Sequence, residues 1–599
     1  MTGSASSGCR AEVWLRTSVL GLAAAVVLAT APEAAAQVLL GQSDPVNLLP
    51  LTEPETQTGE DAPAGTSSGA PQGFEMETLE EVGGDFAGPL TPQNGGLQPS
   101  LWRGSSRGKI ERLLARLPLH HSPALASLTR TLLLTNGSPP PGQGTGVNIL
   151  ALRARILSEM GFLQDALQLL RTAPARAMDS TASQVLVDLS WQSLDLDSAC
   201  AALLQPAAPF EINRDLQQQR VFCQWRSGKE SDAQFGMDLL REEGAADPFF
   251  AAVMDRLGGN TEVKVPAPPE LTPARIAMYH ELKEPLPDNA FDLASIQAVT
   301  SMAMDTQIDP ELRLSAAEAA ASQGALAAQV LRDAYAAQKF KPEDLQGAAA
   351  LPETGASARD RAVLYQAVAA APMPSVRASI LQVALGPTGW ADNDNWRLQV
   401  FAPFLMDLAP APELSWYAPE AAHYLFALGE FEQARAWIEL TQGDQSFGEG
   451  SVDTNSAIML PSLLALDYLA GGYQSVPVMG SFLAQGQVNA SPDSVERLQA
   501  IFSAFDDSLP DSAGGAVADS GDGSAPKLPK ENLNLWLDLG DAAAKGMQGE
   551  TGLLALVGLR DLATVEPLWM LRALAGLRRV GLEKDARRIA VEAAIANGL

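Results

Sequence analysis

The 599-residue chain has few of the residues that build metal centres, disulfide frameworks and catalytic sites. It contains three cysteines and four histidines, and the adjacent pair His120 and His121 lacks the four-residue spacing with which two histidines bind zinc from one helix. The chain also lacks a phosphate-binding P-loop, a dinucleotide-binding glycine fingerprint and a nucleophile elbow. We therefore expect no catalytic residue, no metal and no cofactor, and thus a protein that is not an enzyme.

Basic and aromatic residues are also scarce. The sequence has 41 Lys and Arg against 71 Asp and Glu, a formal net charge of −30, and only 6% aromatic residues. Such a chain repels the phosphates of nucleic acids and of anionic membrane surfaces, so we expect no nucleic-acid partner. The charge serves solubility, or it favours a basic protein or peptide partner through complementarity. Both interpretations stay open.

Long apolar runs are rare, and the run near the N-terminus is typical of an export signal. Arg10 and Arg16 precede a 15-residue apolar run at 17–31, and small residues follow up to Ala36. The run is shorter than the roughly 20 residues that span a bilayer. We predict a signal peptide over 1–36 that is cleaved near Ala36, and a periplasmic or secreted bacterial protein without membrane insertion. A retained N-terminal anchor is the alternative.

Residues 37–100 have the composition of a disordered acidic linker. From 41 to 100 the sequence contains ten acidic residues and no Lys or Arg, and Pro, Gly, Thr and Ser are abundant. A segment of this kind cannot bury enough apolar area to offset the entropy lost on ordering. A second segment rich in Gly, Asp and Ser, residues 506–530, is predicted to be a flexible loop.

Alanine and leucine are abundant and follow a helical periodicity. Between 147 and 243, short amphipathic helices alternate with tight turns. An alanine recurs five residues after one residue of each turn, in the pairs Gly161/Ala166, Leu194/Ala199 and Gly228/Ala233. The three alanines are 33 and 34 residues apart.

This spacing resembles the tetratricopeptide family, whose repeat is a helix-turn-helix unit of about 34 residues. The match is degenerate, because most of the aromatic residues typical of the first helix are missing. The glycine and alanine pattern returns in the pairs Gly429/Ala434 and Gly581/Ala586. The resemblance implies an all-α fold, an α-solenoid of helical hairpins in which glycine permits the turn and alanine lets the two helices cross closely.

Proline-rich and glycine-rich segments, among them the proline-rich segment 265–273, divide the folded part of the chain. We predict tetratricopeptide-like helical repeats over 101–262, a divergent solenoid of helical hairpins over 263–505, and C-terminal helical repeats over 531–599. Two helix starts carry a capping residue followed by proline, at Ser122 and at Thr272.

Two cysteines remain once the predicted signal is removed. Cys200 lies on the second helix of one predicted pair, and Cys223 on the first helix of the next. An exported protein meets oxidising conditions, and neighbouring helices of a solenoid are close enough for a disulfide. Two buried free thiols that act as small apolar side chains are the alternative.

A helical-repeat fold implies binding more directly than chemistry, although this step rests on analogy between folds. Our leading hypothesis is a non-catalytic scaffold or adaptor that captures a protein or peptide on the concave surface lined by the first helix of each pair. A cell-wall (peptidoglycan) enzyme or accessory with a helical superhelix, or a structural assembly component, is the alternative. A cleft with a buried carboxyl group of raised pKa would favour the enzyme. The sequence does not identify which solenoid surface binds the partner, and it leaves the oligomeric state open.

Overall fold

Helices account for the regular structure of the protein. The computed structural model describes residues 84–119, 122–205, 213–244, 247–352, 354, 357–386, 395–443, 454–472, 491–505 and 532–599. Within these ranges the chain forms α-helices and short 3₁₀ helices and no strand, so the predicted all-α fold class is confirmed. No helix in them is both long and apolar enough to cross a membrane. The predicted signal peptide (1–36), the linker up to residue 83 and the loop 506–530 lie outside the described residues.

The helices follow one another with short connections. Before the proline-rich segment they are α1 (Arg107–Leu114), α2 (Pro123–Leu134), α3 (Ile149–Glu159), α4 (Leu163–Thr172), α5 (Ser180–Gln192), α6 (Leu196–Leu203), α7 (Arg214–Arg226), α8 (Glu230–Glu242) and α9 (Pro248–Leu257). The middle helices are α10 (Pro273–Leu282), α11 (Ala290–Leu293), α12 (Ile296–Met304), α13 (Pro310–Ser322), α14 (Ala328–Ala336), α15 (Pro342–Gln346), α16 (Ala358–Ala370) and α17 (Pro374–Leu385). The last are α18 (Asn395–Met406), α19 (Ala418–Leu428), α20 (Phe431–Gly443), α21 (Thr454–Leu469), α22 (Pro492–Ser503), α23 (Leu533–Ala544), α24 (Gln548–Gly558), α25 (Pro567–Arg579) and α26 (Glu583–Ala596).

Two helices begin where their capping residues predict. The Ser122 hydroxyl accepts a hydrogen bond from the backbone nitrogen of Leu125 at 3.2 Å, and Pro123 is the first residue of α2. The Thr272 hydroxyl accepts one from the backbone nitrogen of Arg275 at 3.4 Å at the start of α10. Each cap satisfies a backbone donor that a helix leaves without an internal partner. Both predicted starts are confirmed.

One turn geometry recurs at the end of many helices. After α3, Gly161 adopts φ +79°, its backbone nitrogen donates to the Ser158 carbonyl, and the next nitrogen donates to the Leu157 carbonyl. This is the Schellman motif, in which a left-handed residue ends the helix. The same bonds and a positive φ occur at Leu194, Gly228, Gly324, Gly429, Gly471, Gly546 and Gly581. Leu194 adopts φ +58° although this conformation costs a side-chain-bearing residue about 1–2 kcal/mol.

The alanine five residues after each of five of these turns is buried. The accessible fraction is 0% for Ala166, Ala199, Ala434 and Ala586, and 3% for Ala233. The distance between packed helices depends on the side chains at their contact, so alanine permits a close approach. The five hairpins therefore combine a left-handed turn with a small buried residue five positions later.

A disulfide joins two successive hairpins. Cys200 on α6 and Cys223 on α7 are bonded, with their Cα atoms 5.2 Å apart. The bond closes a sequence separation of 23 residues. By the chain-entropy account, constraining the unfolded chain in this way stabilises the fold by about 3 kcal/mol.

Residues 84–100, which the sequence analysis placed in the acidic linker, contact the first helices. Phe86 is buried, and the buried Arg153 side chain donates to the Asp85 carbonyl at 2.8 Å and to the Leu133 carbonyl at 2.7 Å. Burial lowers the pKa of the Arg153 guanidinium to about 10. One aromatic side chain and a set of carbonyl acceptors therefore order a segment whose average composition is that of a linker.

Helices from the two ends of the described chain pack together. Helix α1 contacts α24, and α2 contacts α24 and α26. The Gly549 nitrogen donates to the Leu101 carbonyl at 2.8 Å, and Lys109 Nζ lies 2.7 Å from Glu550 Oε1. Because these partners are more than 400 residues apart in the sequence, the contact links the first and last helices.

Glu592 on α26 caps the N-terminus of α2. Its Oε2 accepts a hydrogen bond from the Ala124 nitrogen at 2.9 Å. The free N–H groups and the dipole of a helix N-terminus favour a negative charge. Burial has the larger effect and raises the pKa of Glu592 to about 7, while hydrogen bonds from Ala124 and Ser122 and the charge of Arg588 oppose the shift.

The raised pKa makes the stability of this contact depend on pH. Between about pH 4.5 and pH 7 the folded chain keeps a proton on Glu592 that the unfolded chain releases. The free energy of unfolding therefore decreases as the pH rises through this range, and above pH 7 the buried charge destabilises the fold. We expect Glu592→Gln, which retains a carbonyl acceptor for Ala124, to be more stable than wild type at pH 8 by roughly 1–3 kcal/mol. We also expect it to gain less stability between pH 7 and pH 5, as measured by urea unfolding. The exposed Glu496→Gln serves as the control, and a pH dependence equal to that of wild type would contradict this role of Glu592.

Two repeat glycines with the same backbone conformation provide a test of packing around the turns. A Cβ at Gly161 would lie 2.9 Å from the backbone nitrogen of Leu326, whereas a Cβ at Gly228 would meet nothing within 4 Å. We expect Gly228→Ala to lose about 1–2 kcal/mol from the left-handed conformation alone. Gly161→Ala should lose at least about 1 kcal/mol more, because its turn is packed against that of α13. Equal losses in urea unfolding would show that the two turns do not pack closely.

Candidate functional site

A cavity of about 1070 Å³ lies between the first helices of three consecutive pairs and the helices that follow the proline-rich segment. Helices α3, α5 and α7 supply one part of its lining, and residues in and around α10 and α12 supply another. Small-molecule pockets usually have volumes of roughly 300–1,000 Å³. We call this cavity the first-helix groove.

Helical spacing brings polar side chains to the groove face of each first helix. Side chains four residues apart lie on the same face of a helix. The lining contains such pairs at Arg155 and Glu159 on α3 and at Asp188 and Gln192 on α5. Helix α7 adds Asp215 with Gln218 and Gln219. The groove face of all three helices therefore combines an acidic side chain with other polar groups.

Hydrogen bonds between the lining helices hold the walls together. Ser158 Oγ on α3 donates to Gln192 Oε1 on α5 at 3.1 Å, and Trp191 Nε1 on α5 donates to Gln219 Oε1 on α7 at 2.8 Å. On the other side, Ser301 Oγ on α12 donates to the Gln192 carbonyl at 2.8 Å. Helix α5 is therefore bonded to α3, α7 and α12.

Carboxylates outnumber the available cations in the groove. The charged lining residues are Glu159, Asp188, Asp215, Glu270, Arg155 and Arg275. Arg275 forms an ion pair with Asp247, which is not part of the lining, at 3.0 Å. Neither Arg155 nor any of the four lining carboxylates forms an ion pair with a described residue. Four carboxylates therefore face one uncommitted guanidinium group.

Asp188 is exposed on the groove face of α5, where the neighbouring walls partly desolvate its carboxyl group. This loss of bulk solvation raises the pKa of its carboxyl group to about 6, and the charge of Arg155 opposes the shift. Burial likewise raises the pKa of Glu159, again opposed by Arg155. Arg155 therefore interacts with carboxylates on two neighbouring helices without neutralising either fully.

The groove also presents apolar side chains to a ligand. Leu119 and Ile296 belong to the lining and remain 47% and 41% exposed. Ligand pockets combine apolar side chains with a small number of polar groups, as this lining does. The Trp191 ring is 2% exposed, so little of its face is available for stacking on a bound molecule.

None of the residues selected from the sequence pattern lines the groove. The glycines occupy left-handed turns, the alanines are buried, and the two cysteines form the disulfide. The residues absent from the lining are Gly161, Ala166, Ala199, Cys200, Cys223, Gly228, Ala233, Gly429, Ala434, Gly581 and Ala586. The lining carboxylates were not selected from the sequence. The signal that could have found Asp188 is its place within the mostly apolar stretch of α5.

The described histidines have structural partners. His280 Nε2 lies 2.8 Å from Asp305 Oδ2, and His423 Nε2 lies 3.0 Å from the Leu599 carbonyl. Burial lowers the pKa of His423. His120 and His121 lie outside the described residues. Within the described ranges, no three His, Cys, Asp or Glu side chains are grouped as metal ligands.

No family model, curated protein or solved structure matches this chain. The chemistry of the groove must therefore be interpreted from its own residues.

Removing Arg155 should shift the titration of both neighbouring carboxyl groups. Arg155 lowers the pKa of Asp188 and of Glu159, so we expect Arg155→Gln to move the Asp188 midpoint upwards from about 6. Carboxyl carbon NMR of ¹³C-aspartate-labelled protein, assigned with Asp188→Asn, measures the midpoint. Lys545→Gln, at an exposed position outside the lining, is the charge-matched control. An Asp188 midpoint that is unchanged in Arg155→Gln would contradict the interaction.

Proposed function

We propose that the protein is an exported, non-catalytic scaffold or adaptor, and that it captures a segment of a protein or peptide in the first-helix groove. The observation that carries this proposal is the lining of the groove by α3, α5 and α7, the first helices of three consecutive hairpins. In helical-repeat solenoids, stacked units create an extended concave surface that is used for binding. We interpret the successive hairpins as a tetratricopeptide-like solenoid, and the step from that fold to binding is an analogy.

The chemistry of the lining suits a polypeptide. Five glutamines lie in it: Gln192, Gln218, Gln219, Gln297 and Gln323. Each primary amide can donate and accept hydrogen bonds, as peptide groups do. Leu119 and Ile296 add exposed apolar contacts for side chains of the captured segment. This mixture of amides and apolar groups favours a polypeptide over a purely polar ligand.

Two features support export to an oxidising compartment. The sequence begins with the pattern of a cleavable signal peptide. Disulfides such as the one between Cys200 and Cys223 are typical of proteins that are exported from the reducing cytoplasm. We propose a periplasmic or secreted location for the processed chain.

A cell-wall enzyme is the second candidate, and Asp188 is the observation that favours it. A carboxyl group with a pKa of about 6 in a cleft can serve as a general acid near neutral pH. Glu159 would be the second carboxyl group of such a pair. The groove offers few exposed aromatic faces for a sugar ring, because Trp191 is buried.

Site-specific crosslinking tests the binding function. We expect a photoreactive phenylalanine analogue at Ile296, in the groove, to crosslink a defined polypeptide when the protein is expressed in its natural host and irradiated. The same analogue at Leu537, which is 48% exposed and outside the lining, is the matched control. Crosslinked species are identified by mass spectrometry. The absence of any product specific to Ile296 would count against capture in the groove.

Incubation with purified cell-wall sacculi separates the two candidates. The binding function predicts that wild type and Asp188→Asn release equally little soluble fragment. Release by wild type that is lost in Asp188→Asn and retained in the exposed Asp232→Asn on α8 would instead establish the enzyme.

A further inference from the structure

We propose that the first-helix groove selects segments that carry a lysine or arginine, with Asp188 pairing with the cationic side chain and Gln192 donating a hydrogen bond to a nearby peptide carbonyl. This inference rests on the proposed function and specifies its ligand. Two independent observations support it, one from charge and one from an unpartnered amide.

The lining of the groove carries an excess of negative charge that a ligand cation would reduce. Four carboxylates line it, and Arg275 is already paired with Asp247, which leaves Arg155 alone to balance them. Asp188 makes no ion pair with a described residue and keeps its opening to the cavity. Hydrogen bonds between a carboxylate and an ammonium or guanidinium group are about twice as strong as neutral ones. A ligand cation at Asp188 would therefore bind and reduce the excess of negative charge in the groove from three to two.

The mostly buried Gln192 side chain presents a free amide nitrogen to the groove. The residue is only 5% exposed, and its Oε1 accepts the hydrogen bond from Ser158. Its Nε2 has no hydrogen-bond partner among the described residues, although the side chain lines the groove. This nitrogen opens onto the groove, where the carbonyl of a ligand can accept a hydrogen bond from it.

The spacing of the two groups matches one residue of a polypeptide. Asp188 and Gln192 are four residues apart on α5, so their Cβ atoms lie about 5–6 Å apart. The carbonyl and the long cationic side chain of one lysine or arginine can span such a separation. Free polyamines would supply the cation without the carbonyl, and they would not use the exposed Leu119 and Ile296. These features favour a polypeptide as the source of the cation.

Degenerate peptide pools test this specificity on the purified full chain. Four decapeptide pools share random uncharged flanks and differ only in one central residue, which is Lys, Arg, Leu or Glu. Retention on the immobilised protein is quantified by mass spectrometry, and spermidine is applied separately. We expect the Lys and Arg pools to be retained at least about tenfold more than the Leu pool, as a charge-assisted bond implies. The Glu pool should be retained least.

Two groove variants separate the two contacts. Asp188→Asn should abolish the preference for Lys and Arg and leave the Leu pool unaffected. Gln192→Met, which keeps the side-chain length and removes the amide, should weaken the Lys and Leu pools alike. Asp232→Asn on α8 neutralises an aspartate outside the lining and should change nothing. Circular dichroism confirms that each variant is folded.

The outcomes distinguish this inference from the function on which it rests. Equal retention of the Lys, Arg and Leu pools would overturn the inference and leave peptide capture intact. A preference for Lys and Arg that survives in Asp188→Asn would overturn the role of Asp188. Retention of no pool, or of spermidine alone, would overturn peptide capture and this inference with it.

Discussion

The left-handed turn that ends the first helix of a hairpin is the constraint on which the rest of the structure depends. At Gly161, Leu194 and Gly228 the chain reverses through the same pair of backbone hydrogen bonds. A shared turn geometry gives the second helix the same start each time, and the buried alanine five residues later lets that helix pack closely. Three similar hairpins in succession then present their first helices to a common side, where the groove lies.

Contacts between distant parts of the chain complete this arrangement. Ser301 bonds α12 to α5, and the turn at Gly161 packs against the backbone of Leu326, so helices beyond the proline-rich segment form the facing wall. At the two ends of the described chain, Glu592 caps α2 and Lys109 pairs with Glu550. A site lined by short helices depends on such cross-links, because each hairpin alone buries too little surface to hold its position.

The groove combines features that each have an ordinary structural explanation when taken singly. Acidic side chains are common in a chain of net charge −30, and glutamines are common on helices. Their arrangement is less ordinary. Asp188 and Glu159 share one arginine, and Gln192 keeps an amide nitrogen without a partner inside the protein. A carboxylate and a hydrogen-bond donor on α5 are therefore both available to a ligand in the cavity.

The amino-acid sequence established the all-α fold class, two capped helix starts and several left-handed glycine turns, because glycine and capping residues act on the backbone within a few positions of themselves. It could not reveal that Leu194 adopts the turn conformation of a glycine, or that Phe86 and Arg153 order part of a segment with linker composition. In the sequence Asp188 stands out only as a charged residue within a mostly apolar stretch, because the raised pKa of its carboxyl group depends on desolvation in the folded protein. The tertiary structure alone decided which side chains share the groove, because the lining combines residues more than 200 positions apart in the sequence.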